Sequence, residues 1–148
     1  MPIPPFNEHG LLPEGIHDTT LAEIEARLGG FQGSDRRLQL WARFTEFFAA
    51  AKASQLIEEL LVDGSFVTAN PDPNDIDLVL VVSARYDFTA DLPPSSYNVL
   101  AQQRVRRRFG FDIVVVRNGT ENLDEAVQFF SQVRHQPGRR KGLRRLKL

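Results

Sequence analysis

The chain has 148 residues, 42% hydrophobic and 25% charged, which matches ordinary globular usage and the size of a single domain able to bury a real core. Eighteen basic against nineteen acidic side chains leave a net charge of −1, which by itself points to no nucleic-acid or membrane partner. The absence of cysteine excludes disulfides, a thiol nucleophile and a thiolate metal site. No signal-peptide pattern opens the chain and no apolar run reaches the length of a membrane span, so the expectation is a soluble, cytoplasmic protein with no membrane partner.

Met1 to Gly15, with Pro2, Pro4, Pro5 and Pro13, cannot be helical. It reads as an extended arm, to about residue 20, pinned by Phe6, Leu11, Leu12 and Ile16. Thr20-Leu21-Ala22-Glu23 fits a capping box opening a short helix through Leu28, which Gly29-Gly30 stops. A longer helix is predicted from Ser34 or Asp35 to about Ser54. Leu38, Trp41, Phe44 and Phe48, flanked by Leu40 and Phe47, recur in it at helical spacing and read as core.

Leu56 to Val62 is predicted as the first central strand, followed by a Gly64-Ser65 turn. Pro71 and Pro73 forbid a long helix before Asp75, so a short turn or loop leads to a second strand, Asp75 to Ser83. A helix from Pro94 or Ser95 to Phe109 is ended by Gly110. Phe111 to Arg117 is the third strand, Asn118-Gly119 a turn, and Glu121 to Arg134 the last helix. Leu143 to Leu148 reads either as an edge strand or as part of a disordered basic tail, the segment from residue 135 onward being rich in Lys and Arg. No internal repeat or domain boundary is visible.

The chemical signal lies between Leu61 and Val82. Asp75 and Asp77 are separated by one residue in a strand-like run, so they share a face, with Cα atoms roughly 6 to 7 Å apart. Two like charges on one face call for a cation or a basic partner. Their carboxylates can converge on a metal pair about 3.5 to 4 Å apart. Gly64 permits a tight turn and close ligand approach, and the Ser65 hydroxyl with the amides after it can hold phosphate oxygens. Asp112, early in the third strand, is a third acid. Its alternative role is an ion pair with Arg107 or Arg108 of the preceding helix, and Asp63 beside the turn reads as a partner of turn amides.

Gly64-Ser65, Asp75-Ile76-Asp77-Leu78 and Asp112 resemble the core signature of the DNA polymerase β-like nucleotidyltransferase superfamily, over roughly Leu56 to Val116. Phe6-Asn7-Glu8-His9-Gly10-Leu11-Leu12-Pro13, Gly15-Ile16-His17 and Asp63-Gly64-Ser65-Phe66-Val67 further resemble a bacterial family of stand-alone nucleotidyltransferase-like proteins with no assigned substrate. The resemblance implies an α+β fold with a small mixed sheet and helices packed on it. It also implies magnesium or manganese held by Asp75, Asp77 and Asp112, phosphates gripped by Gly64 and Ser65, and a nucleoside triphosphate as substrate. The chain departs from the small members at Phe66-Val67-Thr68, where they often carry Arg or Tyr, which bears on how a triphosphate is recognised.

The acceptor hydroxyl could belong to a protein, an RNA or a small molecule. Small members of the superfamily include antitoxins that modify a partner toxin, so a catalytically silent antitoxin-like binding module is the alternative. RNA binding through the basic clusters is a third possibility. One cluster is Arg104, Arg106, Arg107 and Arg108; the other runs from Arg134, with no acid after it. Both also read as solvated faces, and Arg139, Arg140 or Lys141 as triphosphate contacts. His9, His17 and His135 are too scattered to read as zinc ligands.

Overall fold

The computed structural model describes residues 13–26, 35–63, 76–85, 94–132 and 142–148. Its elements are β1 (Gly15–Asp18), α1 (Leu21–Ile24), α2 (Asp35–Ser54), β2 (Ile57–Asp63), β3 (Asp77–Val82), α3 (Pro94–Leu100), α4 (Gln102–Phe109), β4 (Asp112–Arg117), α5 (Glu121–Phe130) and β5 (Gly142–Lys147). The strands form one mixed sheet in the order β1-β5-β2-β3-β4. The outer pairs β1·β5 and β3·β4 are parallel, and the inner pairs β5·β2 and β2·β3 antiparallel. The architecture is α+β, and the three aliphatic strands expected to be neighbours are neighbours.

Both sheet faces are covered, as the near-continuous Leu/Val run of β3 requires. Leu60, Val62, Leu78, Leu80, Val82 and Ile113 face one core with the buried side chains of α1 to α4. The alternate residues Leu61, Val79, Val81 and Val116 face a second core with Ala126, packed by Leu123, Val127 and Phe130 of α5. The buried stripe of α2 is Leu40, Phe44, Phe47 and Ala51, rotated from the expected one. Leu38 is 55% exposed, and Trp41 sits half-buried at the margin, stacked on Phe44 at 5.7 Å. Two overlapping i, i+3/i+4 stripes pass through Phe44, and the packing of Phe47 edge-on to Phe109 and Phe111 selects this one.

The helix expected over Pro94 to Phe109 is two helices, interrupted at Ala101, whose backbone is extended (φ −85°, ψ 116°). At about 100° per residue, Val99 and Val105 would point some 120° apart on one continuous helix. The break lets both bury against the same core. Gly110 then ends α4 in the left-handed conformation, φ 80°. The last helix stops at Phe130 rather than Arg134, with Ser131 Oγ donating back to the Val127 carbonyl at 2.6 Å. Thr20 caps α1 as its motif predicts, its hydroxyl accepting from the Glu23 amide at 3.2 Å.

The two ends differ most from expectation. Part of the extended arm is strand β1, and the basic segment supplies β5, which is neither tail nor edge but lies between β1 and β2. Gly142 makes this possible: a Cβ there would meet the Pro13 carbonyl oxygen at 2.1 Å and the His17 ring at 2.9 Å. His17 Nε2 hydrogen-bonds that same carbonyl at 2.7 Å. Asp18 accepts two hydrogen bonds from Arg145, one of them from Nη2 at 3.0 Å, and the Thr19 amide donates to the Arg145 carbonyl at 2.9 Å. No described helix is long and apolar enough to cross a membrane.

Candidate functional site

β2 ends where β3 and β4 begin, and each of the three strands carries an acid there. Asp63 is the last residue of β2, Asp77 the first of β3 and Asp112 the first of β4. Asp63 pairs with Asp77 across the antiparallel ladder, and Asp77 with Asp112 across the parallel one. Residues in register on adjacent strands project to the same face, with strands about 4.8 Å apart. The three Cα positions therefore form a row across the sheet, in line with Leu61, Val79 and Val114, and the carboxylate of Asp112, on the edge strand β4, turns to α4. Burial falls along the row. Asp63 is 4% exposed, Asp77 is half-buried and Asp112 is exposed.

Asp112 pairs with Arg106, Nη1 to Oδ1 at 3.4 Å, rather than with Arg107 or Arg108. Val105 and Phe109 anchor α4 in the core, and that phase sets Arg106 on the side toward β4. Gln102, one turn earlier, donates from Nε2 to the Ile113 carbonyl at 3.0 Å and ties the helix to the start of the strand. Between them is an open cleft of about 290 Å³ lined by Gln102, Gln103, Arg106, Asp112 and Ile113. One of its walls is an acid of the row, and the others are two glutamines, a cation and Ile113.

Of the residues singled out from sequence, Asp77 and Asp112 are thus brought together. Asp75, Gly64 and Ser65 lie outside the described residues. Ile76, between the two acids of the motif, is 1% exposed. Hard carboxylate oxygens on neighbouring strands are the donor type for magnesium or manganese, and Asp77 and Asp112 supply them. No group of three acids or histidines among the described residues is close enough to hold an ion by itself. Asp63 ends β2 itself, one position past the expected strand end at Val62, and the turn amides expected to partner it lie outside the described residues. Extending the first strand by one position would have put it in line with Asp77, but an acid beside Gly-Ser reads locally as part of the turn.

Arg144 was also hidden. It is fully buried, opposite Val62, in a segment read as solvated. The alternation of Leu146 and Leu148, carried back two residues, places Arg144 on the apolar side.

The pattern of a protein family described as a family of unknown function (DUF6932) matches residues 4–147, and the chain belongs to that family. No curated protein and no solved structure matches it.

Proposed function

We propose that this member of the family is a divalent-metal-dependent nucleotidyltransferase of the polymerase β-like fold, moving a nucleoside monophosphate from a nucleoside triphosphate to an acceptor hydroxyl. The observation that carries the reading is the register of Asp77 with Asp112 at the starts of adjacent parallel strands, each followed by a buried aliphatic run. An antiparallel β2·β3 pair leading from the Gly64-Ser65 motif agrees with it.

In this reading Asp75, Asp77 and Asp112 hold the metal. A bound magnesium or manganese would neutralise phosphate charge as the acceptor oxygen bonds to the α-phosphorus and the bond to the departing pyrophosphate breaks. Asp112 faces the cleft beside α4 and takes the acceptor's hydroxyl proton, while Arg106, 3.4 Å away, orients its carboxylate. Gly64 and Ser65 contact the phosphates. Gln102 fixes the distance between α4 and β4, and so the width of the acceptor side.

Thermal melting with magnesium or manganese and each of the four common nucleoside triphosphates tests this. A ligand at a hundredfold excess over its Kd adds about 2.7 kcal/mol. For a chain of this size that raises the melting temperature by roughly 5 to 11 °C. Asp77→Asn should abolish the shift. A wild-type protein that shows none with any of the four removes the proposal.

A further inference from the structure

The two basic clusters of the chain meet different fates in the fold. Of the C-terminal one, Arg144 is buried and Arg145 is held by Asp18, while Arg139, Arg140 and Lys141 lie outside the described residues. The cluster on α4 is turned outward. Arg104, Arg106, Arg107 and Arg108 are all exposed on a helix of eight residues, and no acid occurs anywhere from Pro94 to Phe111. In a chain of net charge −1 this is a local concentration of positive charge, not a reflection of the whole.

We infer that the outer face of α4 is a docking surface for the phosphate backbone of nucleic acid. Arg104, Arg107 and Arg108 stand at i, i+3 and i+4, so their guanidinium groups share one side of the helix. Two are already oriented. Arg108 lies over the Phe109 ring at 4.9 Å, and Arg104 Nη1 donates to Asn98 Oδ1 at 3.4 Å. Arg43 of α2 extends the surface past the end of the helix, its Nη1 lying 3.5 Å from where a Cβ on Gly110 would be. The cations are all arginine, whose planar fork matches phosphate oxygens in pairs.

The apolar residues of α4 distinguish nucleic acid from an acidic protein. Val105 and Phe109 are wholly committed to the core, so every exposed side chain of the helix is Gln or Arg. A protein partner is normally anchored by a desolvated apolar or aromatic centre, which this face does not offer. A backbone contact needs none. With no exposed aromatic on the helix to stack on bases, binding should be indifferent to sequence. Arginines in a last helical turn also complement the helix dipole, but that effect falls off within the turn and does not call for Arg104.

The test is fluorescence anisotropy with a labelled single-stranded RNA of about 20 nucleotides, between roughly 50 and 200 mM KCl, in EDTA and without nucleotide. Its outcome is therefore independent of any transfer reaction. Wild type should bind with a Kd in the range of about 10⁻⁴ to 10⁻⁶ M at physiological salt and weaken steeply as salt rises. The double variant R107Q/R108Q should lower the slope of log K against log salt by about 1.4, at roughly 0.7 per phosphate contact.

The charge-matched variant K52Q/K147Q, at the far end of the sheet beside Ile57 and Asn118, should leave the slope unchanged. The proposal is overturned by absent or salt-insensitive binding, by equal slope losses in the two double variants, or by a labelled polyglutamate binding as tightly as the RNA.

Discussion

Asp63 stands directly opposite Asp77 at the mouth of the β2·β3 pair, and Asp63 is the more deeply buried of the two. Like charges in register on one face are destabilising unless something offsets them. With the proposed metal held beside Asp77, magnesium alone should raise the melting temperature of the wild type, and Asp63→Asn should shift the magnesium midpoint upward by about 10- to 100-fold. That is the usual effect of removing a group that supports the ligands of a metal. A midpoint unchanged in Asp63→Asn would take this residue out of the site while leaving Asp77 and Asp112 in it.

The Arg106–Asp112 pair is open to solvent, with side-chain exposures of 75% and 63%, so breaking it should cost less than about 1 kcal/mol. Asp112→Asn and Arg106→Gln should then both fold normally, and stability cannot masquerade as mechanism. Asp112→Asn should keep triphosphate affinity within a few-fold and lower the single-turnover rate by about 10² or more, the loss typical of a positioned base. Transfer at the wild-type rate by Asp112→Asn would leave Asp112 with no part in proton transfer.

The aromatic core gives a prediction about stability alone. Phe47 is fully buried between α2 and the Phe109 and Phe111 rings, whereas Trp41 is half-buried at the margin. Phe47→Ala should cost about 3 to 5 kcal/mol in urea unfolding. Trp41→Ala should cost distinctly less, although it removes the larger side chain. The reverse order would show that the α2 stripe is rotated from the position described.

Acid should loosen the β1 edge. Hydrogen bonding from Arg145, reinforced by its charge, holds the Asp18 carboxyl below its ordinary value, against a smaller opposing effect of desolvation. The folded value being the lower one, the pair's contribution is present above the unfolded carboxylate pKa of about 3.9 and fades as pH falls through the folded value. Hydrogen exchange at the Thr19 amide, which donates to the Arg145 carbonyl, reports this edge directly. Protection there should be greater in wild type than in Asp18→Asn at neutral pH, and the difference should fade once the folded Asp18 carboxyl is protonated, at a pH below the ordinary carboxylate value. A difference that persists in acid would mean that Asp18 contributes by something other than its charge.

The strands bearing the acids are legible because Leu60 to Val62, Leu78 to Val82 and Ile113 to Val116 are aliphatic runs too short for helices. Their register is not, since it depends on pairing between segments that no local pattern links. Hence Asp77 is recognisable as a candidate from its own motif, while the row it forms with Asp63 and Asp112 is visible only in the sheet. Ala101 shows the same limit. Alanine favours helix more than any other residue, and only the need to bury both Val99 and Val105 interrupts the helix there. Arg144 is misread because charge normally signals solvent, and the alternation that places it inward is short.

The position of β5 in the sheet has a consequence for the order of folding. The strand it completes, β2, is synthesised about 80 residues earlier, and the Asp18–Arg145 contact spans 127 residues. At about 5 to 20 residues per second, the emerging chain waits roughly 4 to 16 s between the appearance of β2 and that of its second neighbour. During that interval β2 can pair with β3 and β4 follows, but the other edge of β2 stays open and β1 has nothing to join. High-separation pairing of this kind slows closure after release as well. A chain ending before residue 142 and tethered to the ribosome by a linker that clears the exit tunnel should therefore have its three acid-bearing strands assembled while residues 15–18 remain protease-sensitive.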